Sequence, residues 1–228
     1  MKGAGFSWIF GILMVLVVTA VFVTGVVKHF DTQTTIVSGA VEVYDNVHTA
    51  EFVKRTLDGA SYLAGPAVSG TLSLEGGGYP TWYNNTPVMD DFTAKLGARI
   101  AGRMDLIKFD GLNGREIKWS GASAKITDFA DDSFFFSGNK SFTVESKVAV
   151  PQVKSLSSGG FAGAVSTPYF KLLRVGRIIA TCPPNTGVKE YEKITPEFTA
   201  LEGNKFYIEL SEPAGYRLNF TLDCSTNT

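Results

Sequence analysis

Histidines, cysteines and clustered carboxylates build most hydrolytic and metal-dependent sites, and this chain of 228 residues is poor in them. Its two histidines, His29 and His48, both fall in the first quarter of the chain. The remainder therefore has no imidazole for a Ser-His-Asp relay, a Cys-His pair or an imidazole-bound metal. Carboxylates are left. Asp128, Asp131 and Asp132 crowd a turn, and Asp110 with Asn113 forms a weaker set upstream. Such groups bind calcium or act as an acid/base pair, and they are equally what turns require, because their side chains bond the nearby backbone. Neither set has the spacing of a calcium loop. Gly76-Gly77-Gly78 is no phosphate cradle, since no lysine follows and no helix opens after it. The expectation is a protein that is not an enzyme and holds no cofactor. A net charge of -1 gives no reason to expect nucleic acid as a partner.

Three other sets of residues carry chemistry of a structural kind. Cys182 and Cys224 are expected to pair, closing a loop of about 42 residues and stabilising the fold by about 3–4 kcal/mol on the chain-entropy model; two free thiols are the alternative. Asn84, Asn139 and Asn219 each open an N-glycosylation triplet (Asn84-Asn85-Thr86, Asn139-Lys140-Ser141, Asn219-Phe220-Thr221). Tyr79, Trp82 and Tyr83 stand in a stretch from Leu74 to Pro87 whose three glycines, two prolines and paired asparagines forbid regular structure. Those rings either form a platform for a glycan or a protein partner, or fold back to cap the core.

The elements that must position these residues are of α+β type. Apolar residues Ile36, Ala40, Val43, Val47, Ala50, Val53 and Leu57 recur at helical steps, with Glu42, Asp45, Glu51, Lys54, Arg55 and Asp58 on other faces. This predicts an amphipathic helix over 28–65 that ends at Gly65-Pro66. It either continues the apolar run before it, with a bend near Lys28 to Thr35, or is separated from it by a polar linker. A second helix is predicted from about Val88 to Ile107, with Thr86 as cap, Pro87 at the first position and Asp90 and Asp91 at the positive end of the dipole. From Arg115 the period falls to two. Arg115 to Ser120, Ala122 to Phe129, Ser133 to Ser137 and Lys140 to Val150 read as an antiparallel meander whose apolar face rests on the helices, with turns at Asn113-Gly114, Asp131-Asp132 and Gly138-Asn139. Ser155 to Gly163 reads as a flexible connector. Tyr169 to Ala180 is a short helix or a strand whose Lys171, Arg174 and Arg177 share one face in the helical case. Lys205 to Ser211 and Tyr216 to Asp223 form a closing hairpin.

The first stretch sets where all of this stands. Phe6 to Val27 has no charged residue and, as a helix, spans about 33 Å, enough to cross a hydrocarbon core. A cleaved secretory signal would exit at Val18-Thr19-Ala20 or Val23-Thr24-Gly25; an uncut signal anchor fits the length. A third reading comes from Lys2-Gly3-Ala4-Gly5-Phe6, a basic residue and a glycine directly before the apolar helix. This resembles the class III signal peptide of archaeal pilins and archaellins, and it covers about residues 1–27. The resemblance implies a cut after Gly3 that leaves the apolar helix on the mature subunit. The sequence departs from type IV pilins in carrying Trp8 where they have glutamate, a residue that archaellins also lack.

The domains expected are a signal or membrane helix (1–27), an amphipathic helix (28–65) and an extracytoplasmic α+β head (66–228). The function expected is that of a membrane-anchored structural protein with a cytoplasmic amino terminus, a pilin-like or pseudopilin-like subunit of a surface filament or assembly. Its partners are then the lipid bilayer, further copies bundled through the N-terminal helix, or other surface proteins. The alternative is a signal-anchored, non-polymerising surface module that binds a glycan or protein through Tyr79, Trp82 and Tyr83.

Overall fold

The computed structural model describes residues 4–83, 87–112, 114–146, 154–187 and 193–225, with side chains other than those of 4–11 and 154–156. One helix, α1, runs from Ala4 to Leu74, 71 residues, or about 105 Å at 1.5 Å per residue. It passes through Asp31 to Thr35 without a break. The hydroxyls of Thr32, Thr34 and Thr35 donate to the carbonyls of Lys28, Phe30 and Asp31, each at 2.8 Å, so these polar side chains are satisfied along the helix and form no linker.

The helix also passes its expected stop. Gly65 is a packing residue: a Cβ there would lie 2.5 Å from Val165 Cγ2 and 2.9 Å from Phe136 Cε1. Pro66 removes the donor for the Tyr62 carbonyl, yet Tyr62 and Pro66 both lie on the solvent side, where water replaces the lost bond. The stop comes instead at Gly76-Gly77-Gly78, whose φ angles of 65°, 74° and 89° are left-handed. There the Gly77 N–H donates to the Leu72 carbonyl at 2.7 Å, closing the helix end.

After α1 the order is β1 (Thr81–Tyr83), α2 (Met89–Asp105), β2 (Gly111–Leu112), β3 (Arg115–Ala130), β4 (Ser133–Ser146), β5 (Lys154–Ser166), α3 (Tyr169–Ile179), β6 (Thr195–Leu201), β7 (Lys205–Ser211) and β8 (Arg217–Asp223). One antiparallel sheet has the order β2-β3-β4-β5 and the other the order β1-β8-β7-β6, in which only the β1–β8 pair is parallel. The expected meander and closing hairpin thus belong to separate sheets.

Three expectations are corrected by close packing and capping. Gly138-Asn139 is no turn but the middle of β4, where Gly138 makes room for the Phe161 ring. Ser155 to Gly163 is no connector but most of β5. Two of its three glycines face bulky neighbours: a Cβ on Gly159 would lie 2.6 Å from Leu57 Cδ1, and one on Gly163 2.5 Å from Phe136. Helix α2 starts at Met89, so Val88 takes the capping position expected of Thr86, and the Val88 N–H donates to the Asp91 carboxylate at 3.0 Å. The two strands expected between Arg115 and Phe129 are one, since bulges at Trp119/Ala122 and Ile126/Asp128 reset the alternation within β3.

Among the described residues the head grips the upper half of α1. Asn46, Ala50, Val53, Leu57, Ser61, Ala64, Val68 and Leu72 are buried, and the Ser61 hydroxyl donates to the Ala162 carbonyl of edge strand β5 at 2.7 Å. Arg115, itself buried, reaches down to Glu42 and Asp45 at 3.1 and 3.0 Å. Below that point Ile36, and beside it Val43 and Val47, remain exposed, so the lower end of the expected stripe has no cover. On α2, Gly97 lets the helix approach β3, with Ala124 O 2.9 Å from a Cβ built there.

Candidate functional site

The three aromatic residues singled out in the sequence take different places. Trp82 is buried, stacked on Phe220 at 3.9 Å between centroids, and its Nε1–H donates to the Gly76 carbonyl at 3.0 Å. Tyr79 meets Phe92 edge-on at 5.7 Å under the Lys95 ammonium, and burial, aided by the Asp91 charge, pushes its hydroxyl pKa up. Only Tyr83 of the three is exposed. No aromatic platform forms, because β1 pairs with β8 and successive strand residues face opposite sides, sending Trp82 inward and Tyr83 outward.

The acidic turn is tied to α3 and its approach by one carboxylate and two backbone carbonyls. Asp131 pairs with Arg174 at 2.6 Å, its carbonyl accepts the Lys171 N–H, and the Asp132 carbonyl accepts the Thr167 N–H. Arg174 of α3 and Asp131 of the acidic turn, 43 residues apart in the sequence, thus meet each other. Among the described residues no three of His, Cys, Asp and Glu gather as a metal site. Cys182 and Cys224 form the disulfide, with Cα atoms 5.6 Å apart. Asn139 is exposed on β4 and accepts from the Ser158 hydroxyl, whereas Asn219 is half-buried in β8 with a buried, unpartnered Oδ1. Asn84 and Gly3 lie outside the described residues.

One residue that mattered was hidden inside a glycosylation triplet. Lys140 is fully buried: its ammonium donates to the Met104 and Ile107 carbonyls at 2.8 Å each and lies 4.7 Å from the Trp119 centroid, with Asp105 at 3.9 Å. Burial holds its pKa below the ordinary lysine value, against the pull of Asp105. It is a cation built into the C-terminal end of α2, and strand parity on β4, once Gly138 is counted in the strand, is the signal that would have found it.

What the fold leaves unpartnered is the back of α1. Phe30, Val37, Val41, Tyr44, His48 and Phe52 follow steps of seven, four, three, four and four residues, which at 3.6 residues per turn keeps them within about 40° of one line. All six are exposed, Phe30 by 63% and Tyr44 by 67%. The line lies about 180° around the helix from Leu57, away from the head. Tyr44 and His48 rings stand 6.2 Å apart and, with Val47, Glu51, Phe52 and Arg55, line a cleft of about 320 Å³. Polar residues were expected on these faces; the first stripe, once found, hid the second. Below it the helix is apolar all round and uncovered from Ile12 to Val27, and Thr19 and Thr24 return their hydroxyls to the Val15 and Ala20 carbonyls. By length and composition α1 is suited to cross a membrane. Physically the arrangement offers a long exposed surface for packing. Comparison with known proteins returns no matching family model, no matching curated protein and no matching solved structure.

Proposed function

We propose that the protein is a membrane-anchored structural subunit, laid out like a pilin or pseudopilin, whose apolar helices bundle while the heads form an outer surface. The observation that carries this reading is the back stripe on an unbroken α1. A plain anchor needs only Phe6 to Val27 and a tether. Here about 20 Å of stiff helix separates Lys28 from the first grip of the head at Glu42, and Phe30 to Phe52 keep one face apolar beyond any bilayer. Such a face, larger than scattered surface apolar residues, calls for a protein partner. A cytoplasmic amino terminus, an extracytoplasmic head and a cut after Gly3 follow from the same reading, as does a role without catalysis.

Sheared surface fractions of cells expressing the full chain, imaged directly, test it. The expected result is filaments or ordered assemblies that Tyr44→Ser with Phe52→Ser abolishes while the head melts at an unchanged temperature. A wild-type chain found only as a detergent-soluble monomer overturns the reading.

A further inference from the structure

A second unpartnered surface lies near the top of the same helix. Between α1 and α2 runs a groove of about 400 Å³ lined mainly by apolar residues, among them Val68, Leu72, Ala98 and Leu106, together with Arg99, Arg103 and Thr71, whose hydroxyl donates to the Ala67 carbonyl at 2.9 Å. Leu106 is 71% exposed, and a Cβ built on Gly102 meets nothing within 4 Å. Arg99 is held by Glu75 at 3.1 Å, whereas Arg103 has no carboxylate partner among the described residues. The groove is therefore apolar with one unanswered positive charge. The same chain holds the complement: Phe30 and Val37, one helical face about 10 Å long, flanked by Asp31, whose carboxylate has no ion-pair partner among the described residues. The groove from Ala98 to Leu106 is about 12 Å long, and Lys28 sits on the far side of the stripe, so the incoming face brings no like charge.

We infer that this groove receives the Phe30–Val37 face of a second copy, with Asp31 of one copy against Arg103 of the other. The inference rests on the reading of the chain as an assembling subunit and names its contact. Because donor and acceptor are different patches, the contact is heterologous and propagates instead of closing into a pair. With both helices pointing the same way, the copies are offset by about 55 Å along α1, which lifts the apolar run of the upper copy above that of the lower.

The native cysteines are bridged, so an added cysteine is the only free thiol. Full-length copies bearing Val37→Cys and Gly102→Cys are co-expressed and oxidised on the cell surface. The expected result is a mixed disulfide dimer that needs both variants, falls at least fivefold with Asp31→Arg or Arg103→Asp, and returns to within twofold when both reversals are present. Cross-links between Thr34→Cys copies without any at the groove overturn this contact and leave the bundled helix standing. Loss of every cross-link overturns both. Capture of Gly102→Cys by a different protein, or quenching of a fluorophore on it by brominated lipid, gives the groove another occupant and overturns the inference.

Discussion

The two halves of α1 are one helix held in place for opposite reasons. Above Glu42 the side facing the head is assembled from small and medium residues, Ala50, Val53, Ser61, Ala64 and Gly65, and strand β5 answers with glycines. Below it, no other described residue covers the helix, and the residues from Val15 to Val27 include many β-branched side chains of modest helix propensity. Helices of that kind in water owe their stability to packing. The upper half has its packing in the head, and on the proposed reading the lower half takes it from lipid or from other helices, where every backbone group is satisfied within the helix. The difference teaches that continuity of a helix says nothing about what stabilises each turn of it.

Substitutions that probe the two halves should separate sharply. The largest effect is expected from Leu57→Ala, which empties the space against Gly159 and Phe142 and should cost about 2–5 kcal/mol in denaturant unfolding of the head; a loss below about 1 kcal/mol would break the comparison. Arg115→Met comes next. It removes the lowest grip of the head on the helix, and with Glu42 partly and Asp45 half exposed the expected cost is about 1–3 kcal/mol, under the range for fully buried pairs. Amide exchange should quicken from Glu42 to Ala50 and leave the region above Ser61 unchanged.

Acid probes the head through Asp223, at the end of β8. The hydroxyl and backbone N–H of Ser225, with Lys205 at 3.1 Å, hold the Asp223 pKa down from 3.8 to about 2. The folded state therefore binds this proton less readily than the unfolded chain. The stabilisation is complete above about pH 4 and is lost as pH falls towards 2. Asp223→Asn should flatten that limb of the stability profile without changing helicity below Glu42. The smallest effect is expected for Val41→Ala, within about 0.5 kcal/mol for the head, although it lies on the face that assembly would cover.

Much of the fold was legible where periodicity and charge agree. Phe92, Leu96, Ile100 and Met104 keep a helical step with acids at one end and Arg103 at the other, and all four are buried in α2. The closing hairpin is where its Glu212-Pro213-Ala214-Gly215 turn puts it. Glycine was the recurrent source of error. At Gly65, Gly138 and Gly159 it marks a place where another chain segment comes close, and single-residue composition cannot distinguish that from a break. Lys140 went unnoticed and the place of Trp82 stayed open between core and surface for a related reason, since which face of a strand is inward depends on a partner strand far away in sequence.

By itself, then, the sequence determined that the chain has an apolar run of membrane-spanning length, an α+β body, a basic and an acidic end on α2 and no histidine beyond His48. Each follows from local pattern or from the residue inventory. Only the tertiary structure decided that α1 passes Pro66, that the aromatic loop turns its tryptophan into the core, that Asp131 answers Arg174, and that one side of the helix from Phe30 to Phe52 is left bare. Those depend on which surfaces meet across long separations in sequence, and a one-dimensional period carries the existence of a stripe but not what covers it.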